Sequence, residues 1–197
     1  MTLDFASWMR AVWFSLMEPT KAAENVLKAG VPVPVLWMVM GLTSVLTVLI
    51  LAAMQWITPL PAELREQGLD LTPFALVILV GFMLSLFVYA VHIAGKMMGS
   101  PAGFPACLAI MAWFNWVNVT LEGMQVALAL ISPSVAAMFS VIAFGVMLWC
   151  LLNFLNVLHG FGSMLKAAAS LFLALVMLAL IGAVVLTFFG VTPGVPA

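Results

Sequence analysis

The chain has 197 residues, 66% hydrophobic and only 7% charged, with a net charge of −1 and a mean hydropathy of +1.27. A water-soluble domain carries about 45–50% apolar and about 25% charged residues, so this chain lacks the polar surface to cover itself and needs lipid to do so. Near-neutral charge argues against a nucleic-acid partner.

The first 31 residues form a separate segment. Phe5, Trp8, Met9, Val12, Trp13 and Leu16 recur at helical spacing, while Asp4, Ser7 and Arg10 face elsewhere. Pro19 breaks this helix, and Thr20 to Ala29 restarts it with Lys21, Glu24 and Lys28. The pattern predicts an amphipathic helix lying in the cytoplasmic interface, its tryptophans at headgroup level; it reads either as a membrane-recruiting device or, more simply, as a passive buttress packed on the bundle. Neither a secretory signal nor a lipidation motif is expected here.

Five apolar runs follow, at 33–57, 73–95, 104–131, 135–158 and 167–190. Each reaches the ~20 residues a helix needs to cross about 30 Å of hydrocarbon. They are continuous blocks rather than short alternating segments, which excludes a strand-built barrel. Between them lie turn sequences rich in proline, glycine and serine: 58–61, 99–103, 132–134 and 160–163. Thr72 reads as an N-cap with Pro73 at the first helical position. Residues 32–191 are therefore expected to form one all-α bundle with five transmembrane helices, followed by a short external tail at 192–197.

The cations orient this bundle. Arg10, Lys21 and Lys28 precede the first span, Lys96 follows the second, and Lys166 follows the fourth. Five crossings put all of them on one side, with Arg65 alone on the other beside Glu63, Glu66 and Asp70. The positive-inside rule makes the lysine side cytoplasmic and the C-terminus external, as in a bacterial inner membrane.

Inside hydrocarbon the informative residues are polar, because leaving them unpaired costs free energy. Asn115, Asn118, Glu122 and Gln125 share one face of the third run, and Ser85, Tyr89, His92 and Lys96 one face of the second. These two stripes are expected to face each other. Asn153 and Asn156 lie on the fourth run, with His159 at its end, and Ser44 and Thr47 on the first. At 1.5 Å per residue Glu122 falls roughly 14 Å below the outer surface, near the level of Thr47. No lysine or arginine is expected at that depth. Glu122 reads either as a protonated carboxyl bonded to a neighbouring helix or as a proton- or cation-binding group lining a path with Asn115, Asn118, Ser85 and Tyr89. The asparagines read mainly as interhelical clips, worth about 0.6 kcal/mol each.

No phosphate loop, nucleophile–base set or paired carboxylates occur, so an enzyme is not expected, nor a cofactor. Cys107 and Cys150 read as small buried hydrophobes, and with His92 and His159 they lack any metal-ligand spacing. The sequon Asn118-Val119-Thr120 sits inside a span and is chance. Gly95 and Gly99 form a GxxxG at a helix end, a weak sign of close packing.

The stretch Leu148 to Gly182, LWCLLNFLNVLHGFGSMLKAAASLFLALVMLALIG, resembles the last two spans of the Yip family, membrane proteins named for interaction with Ypt/Rab GTPases. The likeness rests on Trp149, His159-Gly160, Ser163 and Lys166-Ala167. Pro19 before the first span and the turn from Gly99 to Gly103 also resemble the bacterial members. The resemblance implies a five-span fold and a membrane-organising or assembly role without a defined reaction. The third span is more polar than in common members. The long N-terminal region of eukaryotic relatives is missing, which argues against a GTPase partner. Partners are then the bilayer and other membrane proteins or a second copy. The surfaces expected to meet them are Trp8, Trp13, Lys96, His159 and Lys166. A small transporter or channel built on the Glu122 stripe is the alternative.

Overall fold

The computed structural model of the chain describes residues 4–59 and 72–188. Within these, seven helices follow one another: α1 (Phe5–Met17), α2 (Pro19–Lys28), α3 (Val33–Ile57), α4 (Pro73–Met97), α5 (Phe104–Ile131), α6 (Pro133–His159) and α7 (Met164–Phe188). Helices α3 to α7 are each long and apolar enough to cross a membrane. The acidic segment with Glu63, Arg65, Glu66 and Asp70, the end of the last run and the tail lie outside the described residues.

Local chemistry sets the helix ends. Thr72 Oγ1 accepts from the Ala75 N–H at 3.3 Å and Ser132 Oγ from the Val135 N–H at 3.4 Å, each freeing a proline for the first helical position. That cap starts α6 two residues before the expected 135. Gly160 closes α6 in the left-handed conformation, φ 63°, where glycine carries no steric penalty. Helix α7 starts three residues before the expected 167, because Ser163 caps it through a 3.5 Å contact from the Lys166 N–H.

The five long helices close a ring in the order α3, α5, α6, α7, α4, each packing on the next. Helix α5 has the largest buried share and also touches α4, α1 and α2. The end carrying Lys28, Lys96 and Lys166 is called the lysine end here. Burial is concentrated there. Helix α4 buries Val88, Ala90, Val91, Ala94 and Gly95, while nothing from Pro73 to Phe87 is buried. Helix α7 buries Ala167, Ser170, Leu171 and Ala174, and nothing from Leu175 to Val184. Helix α6 buries nine residues, seven of them between Cys150 and His159.

The N-terminal helices pack on the bundle as a buttress would, but not at the interfacial depth expected. Trp113 Nε1 donates to Ser15 Oγ at 3.0 Å. Val12 is buried with Val117, Leu121 and Met147. The Trp8 and Trp116 rings lie 6.1 Å apart, and Phe5, Trp8 and Met9 share a void with Val119, Gly123 and Ala127. Reading α1 backwards, its neighbours on α5 advance from 113 to 127. Helix α1 therefore runs antiparallel to α5, with Val12 beside the midpoints of α5 and α6, and does not lie flat across the bundle's end. An interfacial helix and a bundle-packed helix share one 3.6-residue pattern, so periodicity alone could not tell them apart. Glu18 and Pro19 break the chain, and α2 descends along α6 towards the lysine end.

Candidate functional site

The polar stripe of α5 faces α3, not α4. Asn118 Nδ2 donates to Glu122 Oε1 at 2.6 Å, and Thr47 Oγ1 donates to Oε2 at 3.4 Å. Glu122 is thus level with Thr47, as the rise per residue predicted. Asn115, buried, places its amide 3.5 Å from the Met40 sulfur. Beside this cluster lies a crevice of about 180 Å³ between α5 and α6, lined by Asn118, Glu122, Gln125 and Ser140 among apolar neighbours. Its lining stops at Asn118 and Met147. There the buried cluster of Val12, Val117, Leu121 and Met147 begins, so the crevice is blind on the side of the lysine end.

The expected meeting of the two stripes does not occur. Ser85 turns back to its own Gly81 carbonyl at 2.7 Å. Tyr89 is half exposed and stacks on Phe104 with ring centroids 4.5 Å apart. His92 sits edge-on to the same phenylalanine, with Nδ1 3.6 Å from the Cys107 sulfur. Tyr89 and His92 thus meet the first turn of α5, at Phe104 and Cys107, about two turns before the stripe begins at Asn115, an offset along the helices that shared faces alone do not reveal.

The asparagines of α6 bond both within their helix and to neighbouring segments. Asn153 Nδ2 donates to its own Trp149 carbonyl at 2.8 Å, and its oxygen accepts from Thr20 at 3.3 Å. Asn156 Oδ1 accepts the Ser163 N–H at 3.0 Å and so fixes the turn into α7. No group of three histidine, cysteine or acidic residues fit to hold a metal occurs among the described residues.

Of the expected partner surface, Trp13, Lys96 and Lys166 are exposed. Lys96 Nζ lies 3.5 Å from the Pro101 carbonyl. Trp8 and His159 are corrections. Trp8 turns inward with its indole nitrogen buried and without a hydrogen-bond partner. His159 is buried, its Nδ1 2.9 Å from Ser100 Oγ. Its ring occupies the notch left by Gly95, where a Cβ would strike it. The GxxxG glycine thus makes room for a ring rather than for a helix backbone.

Sequence reasoning missed one feature. Ala6, Arg10, Trp13 and Met17 are all exposed along one face of α1, a spacing that makes a single stripe. Among the described residues Arg10 Nε donates to its own Ala6 carbonyl, at 3.2 Å, and forms no ion pair. Arg10 lies within a turn of Val12, so a cation does stand close to the depth of Glu122, contrary to expectation. The ion pairs among the described residues are elsewhere, Lys21 with Glu18 and Lys28 with Glu24. The Glu18 carboxylate hydrogen-bonds Lys21 and holds its ammonium above the ordinary lysine value. Among the described residues Arg10 has no carboxylate within ion-pair distance. Knowing the depth of α1 would have exposed this.

No protein-family model, no curated protein and no solved structure matches the chain.

Proposed function

We propose that this chain is a non-enzymatic membrane scaffold or accessory subunit of the Yip-like kind, in a bacterial inner membrane with its lysine end in the cytoplasm. The observation that carries the reading is the Arg10 stripe. A cation facing hydrocarbon near helix centre costs about 2.5–3.5 kcal/mol on insertion scales. A partner helix bearing a carboxylate at the same depth removes that cost and covers Trp13 and Met17 as well. The likeness of Leu148 to Gly182 to the Yip family supports the same role.

The test is purification in mild detergent. Wild type and Arg10→Lys should bring down the same partner, or a second copy, in stoichiometric amount. Arg10→Leu should lose it while melting no lower than wild type. An unchanged set of companions in Arg10→Leu would remove the basis of the proposal.

The blind crevice favours a second reading, in which Glu122 binds a proton or small cation for transport. Under the scaffold reading Glu122→Gln leaves stability within about 0.5 kcal/mol and no flux is lost. A pH-driven flux into vesicles, abolished by Glu122→Gln in a protein that still folds, would transfer the proposal to transport.

A further inference from the structure

A cavity larger than the crevice beside Glu122 lies elsewhere in the bundle. A void of about 590 Å³ lies between α1, α2, α3 and α5. Its lining runs from Ala29 and Val31, just before α3 begins, to Leu42, Trp116 and Ala11. From Val33 to Leu42 the helix rises about 13.5 Å, close to half of the ~30 Å hydrocarbon thickness. The void therefore spans the depth of one leaflet, starting at the lysine end.

Its chemistry is as selective as its depth. Ala22, Ala109 and Ala112 leave the space, and Phe14, Trp113 and Trp116 wall it. The polar groups along the walls satisfy each other, since the Trp113 indole N–H donates to Ser15. Asn25, exposed, is the polar side chain at the mouth. The nearby charges are paired, Lys21 with Glu18 and Lys28 with Glu24, so the mouth carries no net charge.

We infer that this groove is a binding site for one acyl chain of a phospholipid from the lysine-end leaflet, with the headgroup at Asn25. An apolar groove of one-leaflet depth fits an extended hydrocarbon chain. A mouth with balanced charge gives a zwitterionic headgroup no disadvantage against an anionic one. The site does not depend on the partner proposed for Arg10.

The experiment uses the full chain in nanodiscs of phosphatidylcholine containing a small fraction of the same lipid with a photoactivatable diazirine on one acyl chain. Adducts should concentrate on Ala22–Val26 and Ala109–Trp116. Leu42→Trp, a change at a half-exposed lining position, should lower those adducts at least fivefold. Adducts at Phe144, on the open face of α6, should not change. Ala112→Trp, which fills the floor, should do the same where it folds. Equal labelling by phosphatidylglycerol carrying the same group is expected. Adducts spread evenly over all lipid-facing helices, indifferent to Leu42→Trp, would overturn the site. A tenfold preference for the anionic lipid would overturn the neutral mouth.

Discussion

The two ends of the bundle are finished to different degrees. At the lysine end α4, α5, α6 and α7 bury small and large side chains against one another, and α2 closes the outside. In the other half α4 and α7 present almost nothing buried, α6 buries only Ala136 before Met147, and α1 is the single added wall. Apolar side chains exposed in that half face lipid at no cost, since hydrocarbon solvates them as well as a core does. Polar and charged groups there have no such freedom. Glu122 is hydrogen-bonded within the chain, whereas Arg10 has no ion-pair partner among the described residues. The lysine end is a platform complete in itself, and the far half has the character of a surface meant to be completed.

Paired substitutions break or sharpen that contrast. The largest effect is expected from Phe154, which is fully buried at the lysine end. Phe154→Ala should cost about 3–5 kcal/mol by lost packing and the cavity left. Phe144→Ala, 73% exposed in the other half, should stay within about 0.5 kcal/mol. Denaturant unfolding in micelles reads both, and equal losses would erase the distinction. Next comes glycine. Gly95→Ala drives a methyl into the His159 ring and should cost about 1–3 kcal/mol. Gly123→Ala, with open space around it, should be within about 0.5 kcal/mol of wild type. A thermal melt of the pair in one detergent is sufficient. The smallest effect is at the turn. Asn156→Ala removes the acceptor of the Ser163 N–H and should cost about 1 kcal/mol, with Ser134→Ala, at an exposed position, as the silent control.

Much of this architecture was legible beforehand. The spans at 33–57 and 104–131 have the predicted bounds, because proline and glycine mark their ends and hydrocarbon fixes their length. The pairing of Glu122 with Thr47 followed from counting rise per residue. Facing directions were harder. Tyr89 and His92 share a face with Ser85, but they meet α5 at Phe104 and Cys107, below the stripe, and only packing decides such contacts. His159 looked like a surface residue at a helix end and is instead swallowed by the Gly95 notch. The depth of α1 was hidden for a third reason: its apolar face is satisfied equally by headgroups and by α5, and the deciding bond, Trp113 to Ser15, joins residues 98 apart in sequence.

The account turns on where α1 lies, and one labelling experiment addresses it. Ala6 and Lys28 are both exposed on the protein surface, one beside the middle and far half of α5 and the other at the lysine end. With Cys107 and Cys150 replaced by alanine, Ala6→Cys should resist a membrane-impermeant maleimide in vesicles of either orientation and react only after solubilisation in denaturing detergent. Lys28→Cys should react at once in one orientation. Prompt labelling of Ala6→Cys in intact vesicles would put α1 in water or at the headgroups, and Arg10 would then need no partner.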